Sequence, residues 1–160
     1  MRSIRPAMLV ALMAVFTLAG SALAEHQRPM KGRYEVGVVN VVQRCPDAIT
    51  IGFEGVGHAT HLGRMEGTGS NCTSPDLTTQ AVPIYDGLAT FVAADGSSIT
   101  ASYEGMQDAP VAGVASVVQT FTVIGGTGRF EGATGTWSGS GEINFLTGGF
   151  SGQLSGWVSY

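Results

Sequence analysis

Five side chains carry most of the capacity for chemistry in this sequence: His58, His61, Arg64, Tyr103 and Trp137. A histidine titrates near neutrality and can give or take a proton. In a strand predicted over 57–68, residues three apart point to opposite faces. His58 and His61 therefore cannot share a metal ion. His61 shares a face with Met65 and is the inward candidate. Arg64 falls on the other face near the strand end, where a bulge would redirect it. Tyr103 continues an apolar face, with its hydroxyl satisfied in the core or aimed at a ligand. Trp137, like Trp157, is either a sheet-packing aromatic or a stacking surface at the mouth of a barrel. His61, Arg64, Tyr103 and Trp137 are thus the expected ligand-binding residues.

No catalytic residue is expected. The nucleophile pattern G-x-S-x-G is absent, and no carboxylate pair sits at a spacing that fixes a glycosidase site. Glu54, Glu66, Glu104 and Glu142 are the carboxylates a barrel enzyme would draw on. No metal site or cofactor is expected. Gly126-Thr127-Gly128 with Gly132 has the wrong spacing for a dinucleotide fingerprint, and no helix follows it to receive a phosphate.

The elements that must position these residues are strands. The chain is rich in glycine, threonine, serine and valine, and no apolar pattern has helical spacing. Period-two alternation recurs instead. Ile49, Ile51 and Phe53 share a face. Ile99, Ala101 and Tyr103 alternate with Ser98, Thr100, Ser102 and Glu104. Val117, Gln119, Phe121 and Val123 alternate with Thr120 and Thr122. Phe150, Leu154 and Val158 face away from Ser151, Gln153 and Ser155. Asp95-Gly96 and Thr147-Gly148-Gly149 read as hairpin turns. Strands are predicted at 34–42, 48–55, 57–68, 86–94, 98–105, 115–124, 132–145 and 149–159, with one long loop over 69–85.

Eight sequential antiparallel strands with edges to hide predict an up-and-down barrel, with a two-sheet sandwich as the alternative. A barrel of this size fills with side chains or holds one small ligand. Gly135, Gly139, Gly152 and Gly156 lie in phase with apolar neighbours. They would permit sharp strand bending and leave room along the axis.

The most distinctive string is Thr122-Val-Ile-Gly-Gly-Thr-Gly-Arg-Phe-Glu-Gly-Ala-Thr-Gly135. Its GGTG-x-F-x-x-A-x-G pattern resembles a strand–turn–strand of the allene oxide cyclase and dirigent barrels. Over most of residues 50–158 the chain also resembles a group of secreted bacterial proteins. They share a THLGR string (Thr60 to Arg64), a later Asn/Asp-Gly hairpin (Asp95-Gly96) and GGTGRF-x-GATG (Gly125 to Gly135). The resemblance implies an eight-stranded barrel with an interior cavity and an exported protein. It implies no reaction, because allene oxide cyclase's buried carboxylate and aromatic walls do not align residue by residue. Gly125, Gly126, Gly128 and Phe130 are expected to be structural. The paired glycines would supply positive φ and Phe130 would point into the core. Arg129 is expected to be solvated in the turn.

Arg2 and Arg5 precede an apolar run, Ala7 to Gly20, and Ser21-Ala-Leu-Ala24 follows it. This is the pattern of a secretory signal peptide cleaved after Ala24. The run is shorter than the roughly 20 residues of a spanning helix, and no membrane insertion is expected. Cleavage leaves 136 of 160 residues as one domain. It removes two of eight basic residues and none of twelve acidic ones, so the mature net charge is −6. No Lys/Arg run is available for nucleic acid. A periplasmic or secreted address makes a Cys45–Cys72 disulfide the expectation. It would pin the 69–85 loop to the turn after the first strand. The alternative, free or metal-binding thiols, lacks convergent histidines.

Three functions follow. The first is a non-catalytic exported barrel that binds a small apolar or amphipathic molecule. The second is an isomerase or cyclase like allene oxide cyclase, which needs a buried carboxylate or His61 in the cavity. The third is a structural or interaction module of the cell envelope. Nothing in the residues fixes an oligomeric state.

Overall fold

A computed structural model describes residues 26–39, 43–76 and 78–160. The proposed signal peptide, residues 1–24, lies outside them, as do residues 40–42 of the first predicted strand. Eight strands close into one antiparallel barrel in simple sequence order. They are β1 (Arg28–Val39), β2 (Ile49–Ala59), β3 (Gly63–Thr73), β4 (Ala81–Ala93), β5 (Ser98–Asp108), β6 (Val114–Thr127), β7 (Thr134–Asn144) and β8 (Gly149–Ser159). A single 3-10 turn, Gly128–Phe130, joins β6 to β7. Closure pairs Arg28 through Gly37 of β1 with Val158 through Gly149 of β8, so no edge strand remains. The barrel replaces the sandwich alternative.

The alternation read from sequence is the inside–outside pleat. Met30, Tyr34, Met65, Phe91, Ile99, Tyr103, Phe121, Trp137 and Leu154 form one buried interior cluster. The outward positions between them carry mainly Lys, Arg, Glu, Ser and Thr. A membrane-spanning barrel carries its apolar band on the outside; here the apolar face is inside. No helix among the described residues is long and apolar enough to cross a membrane.

Several predicted boundaries shift, two of them enough to redraw an element. Residues 69–85 are mostly strand rather than loop, because β3 runs to Thr73 and β4 starts at Ala81. Bulges hid this continuity: the register slips between Ser70 and Cys72 and between Ile84 and Gly87, with Asp86 at φ 50°. Pro83 sits where β4 has outrun the β3 ladder, whose last pair is Thr73–Ile84, so its missing N–H breaks no ladder bond there. Secondly, the predicted strand 57–68 is a hairpin. Ala59 and Gly63 end β2 and begin β3, with Thr60, His61 and Leu62 in the turn between them.

The interior glycines do not simply leave space. A Cβ on Gly69 would meet the Phe53 ring, one on Gly87 the Tyr103 ring, and one on Gly156 the backbone of Thr136 and Trp137. Gly139 holds the edges of Phe121 and Tyr34. Each such glycine is a slot into which a neighbouring strand's large side chain or backbone fits. The barrel is therefore solid over much of its length.

One end is sealed. Leu62, Phe130, Ile99, Met30 and Val158 fill it, all essentially without solvent exposure. Tyr160 lies edge-on to Phe130 at 4.8 Å between ring centroids, and the Arg28 guanidinium stacks on the Tyr160 ring. In the glycine-rich turn, positive φ falls on Gly128 (61°) and Gly132 (74°) rather than on Gly125 and Gly126. Gly126 is required for close approach instead: its Cβ would lie 2.3 Å from the Phe130 carbonyl oxygen. Arg129 is not simply solvated. It pairs with Asp95, donates to the His61 carbonyl oxygen at 2.9 Å, and stacks on Phe130.

Candidate functional site

The other end is open to a cavity. Its walls run from Met65, Phe91 and Phe121 at mid-barrel to Val38, Ile49 and Phe145 near the rim. The centre of a water-sized sphere can occupy about 110 Å³ of it. One water needs roughly 10–15 Å³ by that measure, and an apolar cavity of about 150 Å³ accepts a benzene ring. The space therefore suits a molecule with about one ring. Val36, Phe53, Ile84, Val117, Ile143 and Phe150 add apolar wall.

Glycine makes this space where β2 meets β3. Gly55, Gly57 and Gly67 line the cavity. Gly55 and Gly57 are obligatory for backbone packing, with a Cβ at Gly55 falling 2.1 Å from the Glu35 carbonyl oxygen. Gly67 differs. Its nearest neighbour would be Phe91 at 3.4 Å, an ordinary contact, so a side chain there would project into open space.

Among the described residues the lining includes Tyr34, Asn71, Thr73, Gln107 and Gln119 as its polar side chains, and no Asp, Glu, Lys, Arg or His. Most of these groups are partnered. Tyr103 donates its hydroxyl to Asn71 Oδ1 at 2.9 Å, and Asn71 Nδ2 donates to the Cys72 carbonyl. The Thr73 hydroxyl donates to the Pro83 carbonyl. Tyr34 reaches Gln119 Oε1 at 3.4 Å. Burial pushes the phenols of Tyr34 and Tyr103 well above the ordinary tyrosine range, so both are neutral hydrogen-bonding groups at physiological pH.

The four residues named from sequence are scattered. His61 is not in the cavity. It lies at the sealed end, at φ 72° in the β2–β3 turn, with Nε2 3.1 Å from the Pro29 carbonyl oxygen and its ring edge-on to Tyr160. Strand alternation misplaced it because the turn lacks a glycine, asparagine or aspartate at the positive-φ position. Arg64 is on the outer face. It stands in register beside His58, which stands beside Arg33, so three basic side chains cross β1 to β3 away from the interior. Tyr103 and Trp137 do point inward, one layer behind the cavity wall. Tyr103 stacks on Phe121 at 4.8 Å, and Trp137 stacks on the same ring at 5.7 Å. Trp137 Nε1 is buried without a hydrogen-bond partner. Glu54, Glu66, Glu104 and Glu142 are all exposed, so none supplies the buried carboxylate an isomerase of the expected kind requires.

Gln107 and Gln119 were not among the sequence candidates. Gln119 carried a signal, since it stands in the apolar phase of Val117, Phe121 and Val123. Gln107 continues the phase of Tyr103 through Gly105, beyond the predicted strand end at 105.

The Cys45–Cys72 disulfide forms, with a Cα–Cα distance of 5.9 Å. Cys72 lies within β3, so the bond ties the β1–β2 connection to a strand at the open end. Among the described residues no cluster of His, Cys, Asp and Glu could hold a metal ion.

This architecture occurs elsewhere. The pterocarpan synthase dirigent protein PsPTS1 superposes with a TM-score of 0.57 over 85% of this chain and 96% of its own, at 12% identity. The chain has a dirigent-like barrel. At that identity the likeness covers the fold alone. No protein-family model and no curated protein sequence matches the chain.

Proposed function

We propose that this chain is an exported barrel that takes up one small apolar or amphipathic molecule and does no chemistry on it. The observation that carries the reading is the cavity: a space of ring size, apolar and aromatic walled, free of charged side chains and open at one end. Burying apolar surface there would supply the affinity, at roughly 25 cal/mol per Å² removed from water. The neighbour's name, a pterocarpan synthase, puts small-molecule chemistry on the same fold. Here the exposed position of all four candidate glutamates favours carriage over catalysis.

Export rests on the Arg2/Arg5, apolar and Ser21–Ala24 pattern, on the resemblance to secreted bacterial proteins, and on a disulfide that an oxidising compartment would keep. Mass spectrometry of the protein recovered from a bacterial periplasm should find a chain beginning at Glu25. An uncleaved chain retained in the cytoplasm would contradict the address. Isothermal titration with a panel of uncharged one-ring hydrocarbons tests the binding. One-to-one saturable binding is expected, and a protein that takes up none of them is not a carrier of this kind.

A further inference from the structure

Among the polar groups on the cavity wall, Gln107 stands apart. It is only 6% exposed, it lines the cavity, and its side-chain amide has no hydrogen-bond partner in the protein. Asn71 and Thr73 are committed to backbone carbonyls and to Tyr103, and Tyr34 is committed to Gln119. Among the described residues the one fully buried polar side-chain atom left unpartnered is Trp137 Nε1, so the Gln107 amide is not sealed off and remains accessible from the cavity. A carbonyl or hydroxyl on a bound molecule could take the place of water on it.

The neighbouring strand strengthens the point. Gln107 stands opposite Val117, and Gln119 stands opposite Gly105. The two glutamines are diagonal neighbours on the inner face, with roughly 7–8 Å between such positions. Gly105 is held to glycine first by the Val118 carbonyl oxygen, 2.3 Å from where its Cβ would lie, and the Gln119 stem also crosses it, with Cγ at 2.9 Å. Gln119 Oε1 accepts from Tyr34, which leaves its NH2 group without a partner. The β5–β6 wall thus offers two amide NH2 groups and a single uncommitted amide oxygen. Opposite lies the smooth β2–β3 wall of Gly55, Gly57 and Gly67.

Resting on the carrier reading, we infer that Gln107, assisted by Gln119, selects the ligand's polar end. The ligand class is an uncharged molecule of about one ring bearing a hydrogen-bond-accepting oxygen, such as an aryl or alicyclic ketone or amide. Carboxylates and amines are excluded, because the wall holds no counter-charge and a buried unpaired ion is prohibitive. The apolar body lies between Phe53, Phe91, Phe121 and the glycine wall, and its oxygen turns to the β5–β6 amides.

The test compares two probes of the same shape, acetophenone and cumene, on the wild-type protein and on Gln107→Leu. The readout is the acetophenone-to-cumene affinity ratio in each protein. Comparing ratios cancels the different hydration of the two probes. Losing one neutral hydrogen bond should lower the ratio roughly three- to tenfold in Gln107→Leu, with cumene affinity kept or improved. Gln107→Met serves in the same way if the leucine variant does not fold. Nitrogen-15 NMR gives an independent reading: the Gln107 side-chain amide should shift with acetophenone and not with cumene. If both probes bind and the ratio is unchanged, Gln107 does not select the ligand, while the carrier reading stands. If neither probe binds the wild-type protein, both readings fall. Benzoate binding as tightly as acetophenone would overturn the neutral class.

Discussion

Glycine decides residue by residue where this barrel is solid and where it is hollow. At Gly156 an added methyl would press on the Thr136 carbonyl at 2.3 Å and on Trp137 Cα at 2.4 Å. Gly156→Ala should therefore destabilise the fold by about 2–3 kcal/mol, measured by chemical denaturation. At Gly67 the same change meets only ordinary contact, so Gly67→Leu should fold and fill the cavity. From sequence the two positions look alike, since both are glycines in an apolar phase. What separates them is how closely the next strand approaches, which no local pattern contains. The buried phenols give a second prediction at this scale. Burial raises the pKa values of Tyr34 and Tyr103 above the unfolded value of about 10. Their stabilisation is complete below that value and is lost as pH rises from it toward the folded pKa. Alkaline unfolding should begin above about pH 10. Absorbance of tyrosinate should rise in step with the loss of near-UV circular dichroism. Full ionisation of every tyrosine in a still-folded protein would contradict the burial of these two.

Among the elements, the hairpins at the sealed end and the tethered loop at the open end have different duties. Phe130, placed by Gly126, Gly128 and Gly132, plugs the sealed end with no solvent exposure. Phe130→Ala should cost about 3–5 kcal/mol of stability. The disulfide closes a loop with a sequence separation of 27, which contributes about 3.5 kcal/mol in the chain-entropy model. Reduction should lower the denaturation midpoint accordingly, without changing the far-UV spectrum of the folded state. Strand count, order and the inward phase of β2, β5, β6 and β8 were legible, because hydrophobic alternation reports the pleat directly. The start of β1 was not, since Arg28, Pro29, Lys31 and Gly32 mask the inward phase of Met30 and Tyr34. The junction of β3 and β4 was lost to Pro83 and two bulges. His61 was lost to a turn that puts positive φ on the histidine itself, ahead of Gly63, and Gln107 to a strand that runs beyond its predicted end.

At the scale of the whole molecule, closure creates the site. Gln107 and Gly67 lie 40 residues apart and gain a common space only when the sheet curls into a cylinder. The same closure leaves a small interior, lined among the described residues by no charged side chain, where a ligand could be enclosed. Filling that place is accordingly the most direct challenge to the account. Cumene should be titrated by calorimetry into the wild-type protein and into Gly67→Leu, with both shown by circular dichroism to hold the same fold. The account predicts saturable one-to-one binding to the wild-type barrel and its loss in the filled variant. Equal binding to both proteins, or binding to neither, would contradict it.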